Sequence, residues 1–275
     1  MPRLRLHKWY LDVVSDDGLC VIGYWGRLEW GAVSLAYSAV LDARSDNPAT
    51  RTRWRRTEEP VSRDGTITWS CPALAFRGEW AARAPALQRT LYNTEEGNVV
   101  WSCPQPASDA RVKLDDATLR GTGYAEYLEM TLPPWRLPIE DLRWGRAVAR
   151  DPARGDGAFA SVVWIRWLGP HPLTLVAVDG VEVPDAVVET DTVRAGGTSV
   201  TLGAGRVLRD APLVTAALRG APELSVWAPA SILGAHETKR LSPCSIVRAG
   251  DPPHAAPRRG WAVHESVLFK PERDR

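Results

Sequence analysis

Two carboxylates, Glu126 and Glu129, stand in the stretch GTGYAEYLEMTLPPW (residues 121–135), which is otherwise largely apolar and aromatic. Side chains alternate between the two faces of an extended strand. Tyr124, Glu126 and Leu128 then share one face, and Ala125, Tyr127 and Glu129 the other. Glu126 keeps apolar company, whereas Glu129 reads as solvated or ion-paired. If one face is the interior of a barrel, Glu126 is the inward acid. A carboxylic acid in an apolar pocket stays protonated at neutral pH, because burial disfavours its charged form. The Tyr124 phenol is spaced to orient it. A positioned general acid supplies roughly 10²–10⁴-fold in rate. The competing role for Glu126 is an ion pair with Arg143 or Arg146 that locks the barrel mouth.

The aromatic composition fits an acid of this kind. There are 13 Trp against 3 Phe and 2 Met. For any single Trp the core is the better assignment, yet so many suggest a barrel lined with indoles or a wide aromatic pocket. An unactivated alkene is a very weak base, so its protonation needs a well-placed acid. The carbocation that follows is stabilised by indole faces, at about 0.5–2 kcal/mol each. Trp30 and Tyr37 are candidate pocket aromatics. Asp12 shares a strand face with Tyr10, as a second pocket carboxylate or a hydrogen-bonding group near the turn. His264 and Glu265 are adjacent, so one should face inward, in a structural role.

Other chemistries lack their motifs. The five histidines show no HExxH or HxH pairing, and none of the four cysteines forms a CxxC, so no metal is expected. There is no Walker loop, no dinucleotide fingerprint and no G-x-S-x-G elbow, so no cofactor is expected. Net charge is +1, from 34 basic and 33 acidic residues, without the basic excess of a nucleic-acid binder. No window reaches the ~18 apolar residues of a membrane span, and the first residues lack a signal-peptide core. The expectation is a cytoplasmic protein with reduced thiols and a hydrophobic small molecule as its partner. Contact with a membrane surface stays open, as does the oligomeric state.

The elements that must position these groups are strands. KWYLDVVS precedes the turn DDG, AVSLAYSAVLDA alternates well, and ARVKL and ATLRGTGYAEYLEM flank a turn at Asp115-Asp116. AVDGVEV is a strong hairpin signal, because Asp-Gly suits a type I′ turn. ELSVWAP and GWAVHESVLF read as further strands. One short helix is expected after Pro133 or around Leu137–Asp141, and the ERDR tail should fray. Short strands with turns every 8 to 12 residues argue for an all-β barrel or sandwich. The turn-rich ARDPARGDGA segment divides the chain into two β-barrel-like domains, 1–150 and 151–275.

The same residues carry a family resemblance. Gly121, Gly123, Tyr124 and Glu126, followed by Trp144, Gly145 and Arg146, resemble the signature of the hydroxyneurosporene synthase (carotenoid hydratase, AttH-like) family. That signature runs Gly-x-Gly-Tyr-x-Asp and later Trp-Gly-Arg. The opening KWYLDVVSDDG and the closing GWAVHESVLF are similar to the family's ends. The resemblance implies tandem lipocalin-like antiparallel β-barrels and an enzyme that hydrates or cyclises isoprenoid alkenes, as in carotenoid biosynthesis, by protonation without a cofactor. It also covers relatives that only hold a polyene for cycloaddition, and proteins without known activity. It places the acid at Glu126, one methylene longer than the family's Asp. The family's His-x-Trp falls on Val99 and Trp101, so Trp101 is expected to face the acid while Val99 stands where the His would be. A non-catalytic carrier for a hydrophobic molecule is the alternative.

Overall fold

The computed structural model describes residues 4–54, 57–151, 159–213, 234–252 and 254–269. It divides into two compact units, Met1–Arg136 and Leu137–Arg275. Each is built on one ten-stranded antiparallel sheet.

In the first unit the strands are β1 (Leu4–Val14), β2 (Cys20–Trp30), β3 (Val33–Ala43), β4 (Ala49–Trp54), β5 (Val61–Arg63), β6 (Thr66–Cys71), β7 (Phe76–Ala82), β8 (Leu87–Thr94), β9 (Gly97–Leu114) and β10 (Ala117–Met130). Their order is β4-β3-β2-β1-β10-β9-β7-β6-β5, with β8 also on β9. The second unit holds β11 (Asp141–Arg150), β12 (Phe159–Leu168), β13 (Leu173–Val178), β14 (Val181–Glu182), β15 (Val187–Val188), β16 (Thr192–Ala195), β17 (Thr198–Leu202), β18 (Arg206–Pro212), β19 (His236–Arg248) and β20 (Arg258–Leu268). Its order, β14-β13-β12-β11-β20-β19-β17-β16-β15 with β18 on β19, repeats the first strand for strand.

The turns form where local chemistry places them. Asp115 and Asp179 adopt positive φ at hairpin tips, 54° and 50°, and Gly180 follows at 78°. Asp and Gly accept this left-handed geometry at low cost. A 3₁₀ turn, Pro134–Arg136, occupies one of the two places where a short helix is expected. The expected domain boundary near residue 150 is corrected by 14 residues, to the step between Arg136 and Leu137. The reason is that β11 runs unbroken to Arg150 as a central strand of the second sheet. The actual break is the run holding Pro133, Pro134 and Pro138, which supply no N–H for a ladder. Residues 152–158 of the expected linker, the ELSVWAP segment and the ERDR tail lie outside the described residues.

The first sheet curls until its two halves enclose one core. Trp9, Leu11, Val13, Val21, Trp25, Trp69, Phe76, Trp80 and Ala125 belong to it. The Trp69 indole reaches across from β6 to β2, where a Cβ on Gly23 would lie 2.5 Å from its ring. In the second unit the Trp164 ring lies over Gly145, its direct partner on the neighbouring strand, where a Cβ would lie 2.2 Å away. Trp69, Trp80 and Trp164 are thus fillers of space that neighbouring glycines leave open. All four cysteines are buried thiols outside any disulfide. Burial pushes the Cys103 thiol well above its usual range and that of Cys244 up to about 12. Only the thiolate attacks disulfide reagents. We expect Ellman's reagent to detect four thiols in urea and none at early times in buffer. Fast release from the native protein would show that one of these strands opens.

Candidate active site

Glu126 lies on β10 directly across from Tyr10 of β1, and Tyr124 lies across from Asp12. Two donors converge on one carboxylate oxygen. The Tyr124 hydroxyl donates to Glu126 Oε2 at 2.8 Å, and Trp101 Nε1 donates to the same atom at 2.6 Å. Tyr124 is fully buried and Trp101 is 2% exposed, while Glu126 is half-buried. Burial first, then Cys103 and Glu126, holds the Tyr124 phenol well above its ordinary range. Tyr124 therefore remains a hydrogen-bond donor rather than an acid at neutral pH. Glu126 Oε1 is the oxygen opposite the one these two donors occupy.

The surroundings are aromatic. Tyr10 packs edge-on against both Tyr24 and Tyr124, with centroids 5.4 and 6.0 Å apart. Lys8 stands over the Tyr24 ring at 5.7 Å. Asp12, fully buried, accepts a 3.2 Å hydrogen bond from the Tyr10 hydroxyl, so it belongs to the same cluster. Tyr37 lies one pair further along this face, across from Gly26, and its ring packs on Trp54. Trp30 is not brought to the acid. It sits at the far end of β2, 38% exposed, and packs on Trp135. Val99 is buried two residues before Trp101 on β9.

The face that carries the acid corrects one expectation. Ala125 and Tyr127 point into the first unit's core, so Tyr124 and Glu126 lie on the opposite face of β10. That face is nonetheless closed around its aromatics, with Tyr10, Tyr24, Tyr124 and Trp101 all buried. Alternation separated the two faces correctly, but it carries no information on which of two apolar faces a curling sheet encloses.

Local sequence explains why the strand presents its acid here. The β10–β9 register shifts twice, between Gly123 and Ala125 and between Ala125 and Tyr127. Opposite lies Gln105, flanked on β9 by Pro104 and Pro106. Prolines cannot donate to the ladder, and such irregularities re-aim neighbouring side chains. The signal, CPQP, is visible in the sequence. Gly121 and Gly123 are needed for close approach. A Cβ on Gly121 would meet the Val14 carbonyl at 2.0 Å, and one on Gly123 would meet Ala110 and Trp80 at 2.6 Å.

The second unit repeats this arrangement with other groups. A Cβ on Gly260 would abut the Val148 carbonyl at 2.1 Å, as Gly121 abuts Val14. Five residues after each glycine comes a glutamate, Glu126 or Glu265, each across from an aromatic residue, Tyr10 or Trp144. Glu265, however, is ion-paired with Lys239, which is 2% exposed and stands 5.2 Å over the Trp144 ring. Glu237 pairs with Arg209 and lies 3.8 Å from Lys239. Composition and spacing did not single out Lys239 or Glu237, because only cross-strand register unites them. Arg143 bonds to Thr190 and approaches Asp141 at 3.8 Å, while Arg146, fully buried, donates to the Trp261 carbonyl. Among the described residues, no cluster of three His, Cys, Asp or Glu side chains is arranged to hold a metal. No described helix is long and apolar enough to cross a membrane.

His264 faces the core side and hydrogen-bonds to Ser242 at 2.9 Å. Burial, then Arg240 and Lys239, lowers its pKa to about 4. The unfolded chain takes up this proton near 6.5. Between these values the unfolded state binds more protons, so stability falls as pH drops from about 6.5 to about 4. NMR titration should show an imidazole that stays neutral at pH 5.5. Ordinary protonation near 6.5 would contradict it.

Solved structures similar to this chain include the following three. An AttH-like protein of Nitrosomonas europaea matches over 98% of this chain and 93% of its own, at 12% identity and a TM-score of 0.55. CghA matches over 98% and 90%, at 12% identity and a TM-score of 0.54. Kievitone hydratase from Nectria haematococca matches over 96% and 89%, at 8% identity and a TM-score of 0.50. The chain shares their fold. These are tandem lipocalin-like proteins, so the all-β architecture and the family likeness read from the sequence are borne out at the level of fold. No family model matches the sequence, and no curated protein does.

Proposed function

We propose that the protein catalyses cofactor-independent, acid-initiated hydration or cyclisation of an isoprenoid or polyene alkene, with Glu126 as the proton donor. The observation that carries this reading is the convergence of Tyr124 and Trp101 on Glu126 Oε2. With one oxygen fixed by two donors, the acidic proton belongs on Oε1. After transfer, both donors stabilise the carboxylate that remains, and such charge-assisted bonds are stronger than neutral ones. The aromatic faces of Trp101, Tyr10 and Tyr24 stabilise positive charge on the alkene carbons. Water then attacks the cation in a hydration, or a second double bond attacks it in a cyclisation, and Asp12 is the nearby group suited to take up the released proton. Tyr37 lines the same face further out as a substrate contact.

One of the proteins that share the fold is a hydratase by name, which supports the reading by analogy, since fold alone does not fix function. Val99 favours a second reading. With an aliphatic side chain where the resembled family has a histidine, the site has one polar group fewer for proton transfer. Binding alone, or cyclisation by shape without proton transfer, fits that loss. Isotope incorporation separates the readings. Lipophilic molecules that co-purify are identified by mass spectrometry and incubated with the protein in D₂O. Acid initiation places one solvent deuterium on a former alkene carbon. A product without deuterium points to shape-driven cyclisation, and no product at all points to a carrier.

A further inference from the structure

The two units share a strand order but fill corresponding sheet positions differently at one end. In the first unit Trp9 lies across from Trp25 on one side and Tyr127 on the other, and all three rings fill or pack against the core. The glycine-to-glutamate correspondence above aligns Tyr10 with Trp144, so Trp9 corresponds to Arg143. In the second unit Arg143 lies across from Arg166 and Ser266. Two indoles and a phenol are thus replaced by two guanidinium groups and a hydroxyl at the same sheet positions. A cleft of about 230 Å³ opens here, lined by Arg143, Trp164, Thr190, Arg240, His264 and Ser266 among others.

We infer that this cleft is a second ligand site that binds a small organic carboxylate, separate from the Glu126 cluster. Arg143 on β11 faces Ser266 of β20 and Arg240 on β19 faces His264, two residues along the same strand, so their backbones are about 12 Å apart at ordinary strand spacing and rise. Two arginines at that distance on one face can close on a single carboxylate, which suits planar, forked donors. Arg240 is exposed, and no described carboxylate pairs with it within the cleft. Of the acidic residues that also line the cleft, Glu189 is engaged with Arg194 and Thr192 and Glu265 with Lys239, while Asp141 approaches Arg143 itself only at 3.8 Å, a contact that a bound carboxylate would replace or share. His264 sits between the two arginine strands as a neutral donor or acceptor. Trp164, Val193 and Leu202 provide an apolar wall, which a bare inorganic anion would not use.

Calorimetric titration of the full chain with benzoate, inorganic phosphate and benzyl alcohol tests this. Benzoate is expected to bind saturably and more tightly than the other two. Arg240→Gln should weaken it roughly tenfold or more, the usual effect of losing a charged hydrogen-bond partner, with an unchanged melting temperature. Arg143→Gln should do likewise, and a circular dichroism melt checks its fold. Glu126→Gln should leave benzoate binding intact, which separates this site from the function proposed above. Absence of benzoate binding, equal binding of phosphate or benzyl alcohol, or insensitivity to Arg240→Gln would overturn the proposal. So would loss of binding in Glu126→Gln.

Discussion

Glu126→Gln is expected to reduce turnover of the proposed alkene substrate by roughly 10²–10⁴-fold, the contribution of a positioned general acid, while ligand affinity and melting temperature stay near those of the parent. The amide keeps the shape of the carboxyl group, and its oxygen can still accept from Tyr124 and Trp101 at the 2.8 and 2.6 Å positions. What it lacks is an acidic proton to deliver. Tyr124→Phe should act in the same direction with a smaller effect, because it removes orientation and leaves the acid. The measurement is product formation by chromatography, beside a thermal melt of each variant. If Glu126→Gln turns over normally, the proton comes from another group, with Asp12 the nearest candidate. If it unfolds, Glu126 serves the fold and the carrier reading gains.

Trp80→Ala is expected to cost about 3–5 kcal/mol, the range for deleting a large buried aromatic, and to lower the melting temperature by roughly 10–20 °C. Trp80 is fully buried in the first unit's core. Its ring fills the space over Gly78, where a Cβ would lie 2.2 Å away, and packs on Phe76 at 6.4 Å. Its Nε1 donates to the Asp12 carbonyl at 2.7 Å. The indole therefore ties β7 to the strand that carries Asp12, and its loss should disturb the acid's face as well as stability. Trp80→Phe retains most of the volume and should cost markedly less. A drop below about 0.5 kcal/mol for the alanine variant, within the range of ordinary surface changes, would mean that the core collapses to refill the site.

Short-range chemistry is what the sequence alone determined. Asp-Gly and Asp-Asp turns, strand alternation and strand lengths are set within a few residues, so the all-β class and the Asp115 and Asp179 hairpins were legible. The partnership of Tyr124 with Glu126 was legible too, because residues two apart on one strand necessarily share a face. The unit boundary was not. A Pro- and Gly-rich run near residue 150 carries the stronger local turn signal, but β11 is placed by its pairing with β12 and β20, far along the chain. The enclosed face of β10 also needed the tertiary structure, since both faces are apolar and only the curl that brings Trp69 to Gly23 selects one. The same holds for Trp30, which the aromatic count placed near the acid and the length of β2 carries away from it. The contrast between Trp9, Trp25 and Tyr127 in one barrel and Arg143, Arg166 and Ser266 in the other exists only in the register of the strands. Those residues are remote in sequence, and cross-strand hydrogen bonding alone makes them neighbours.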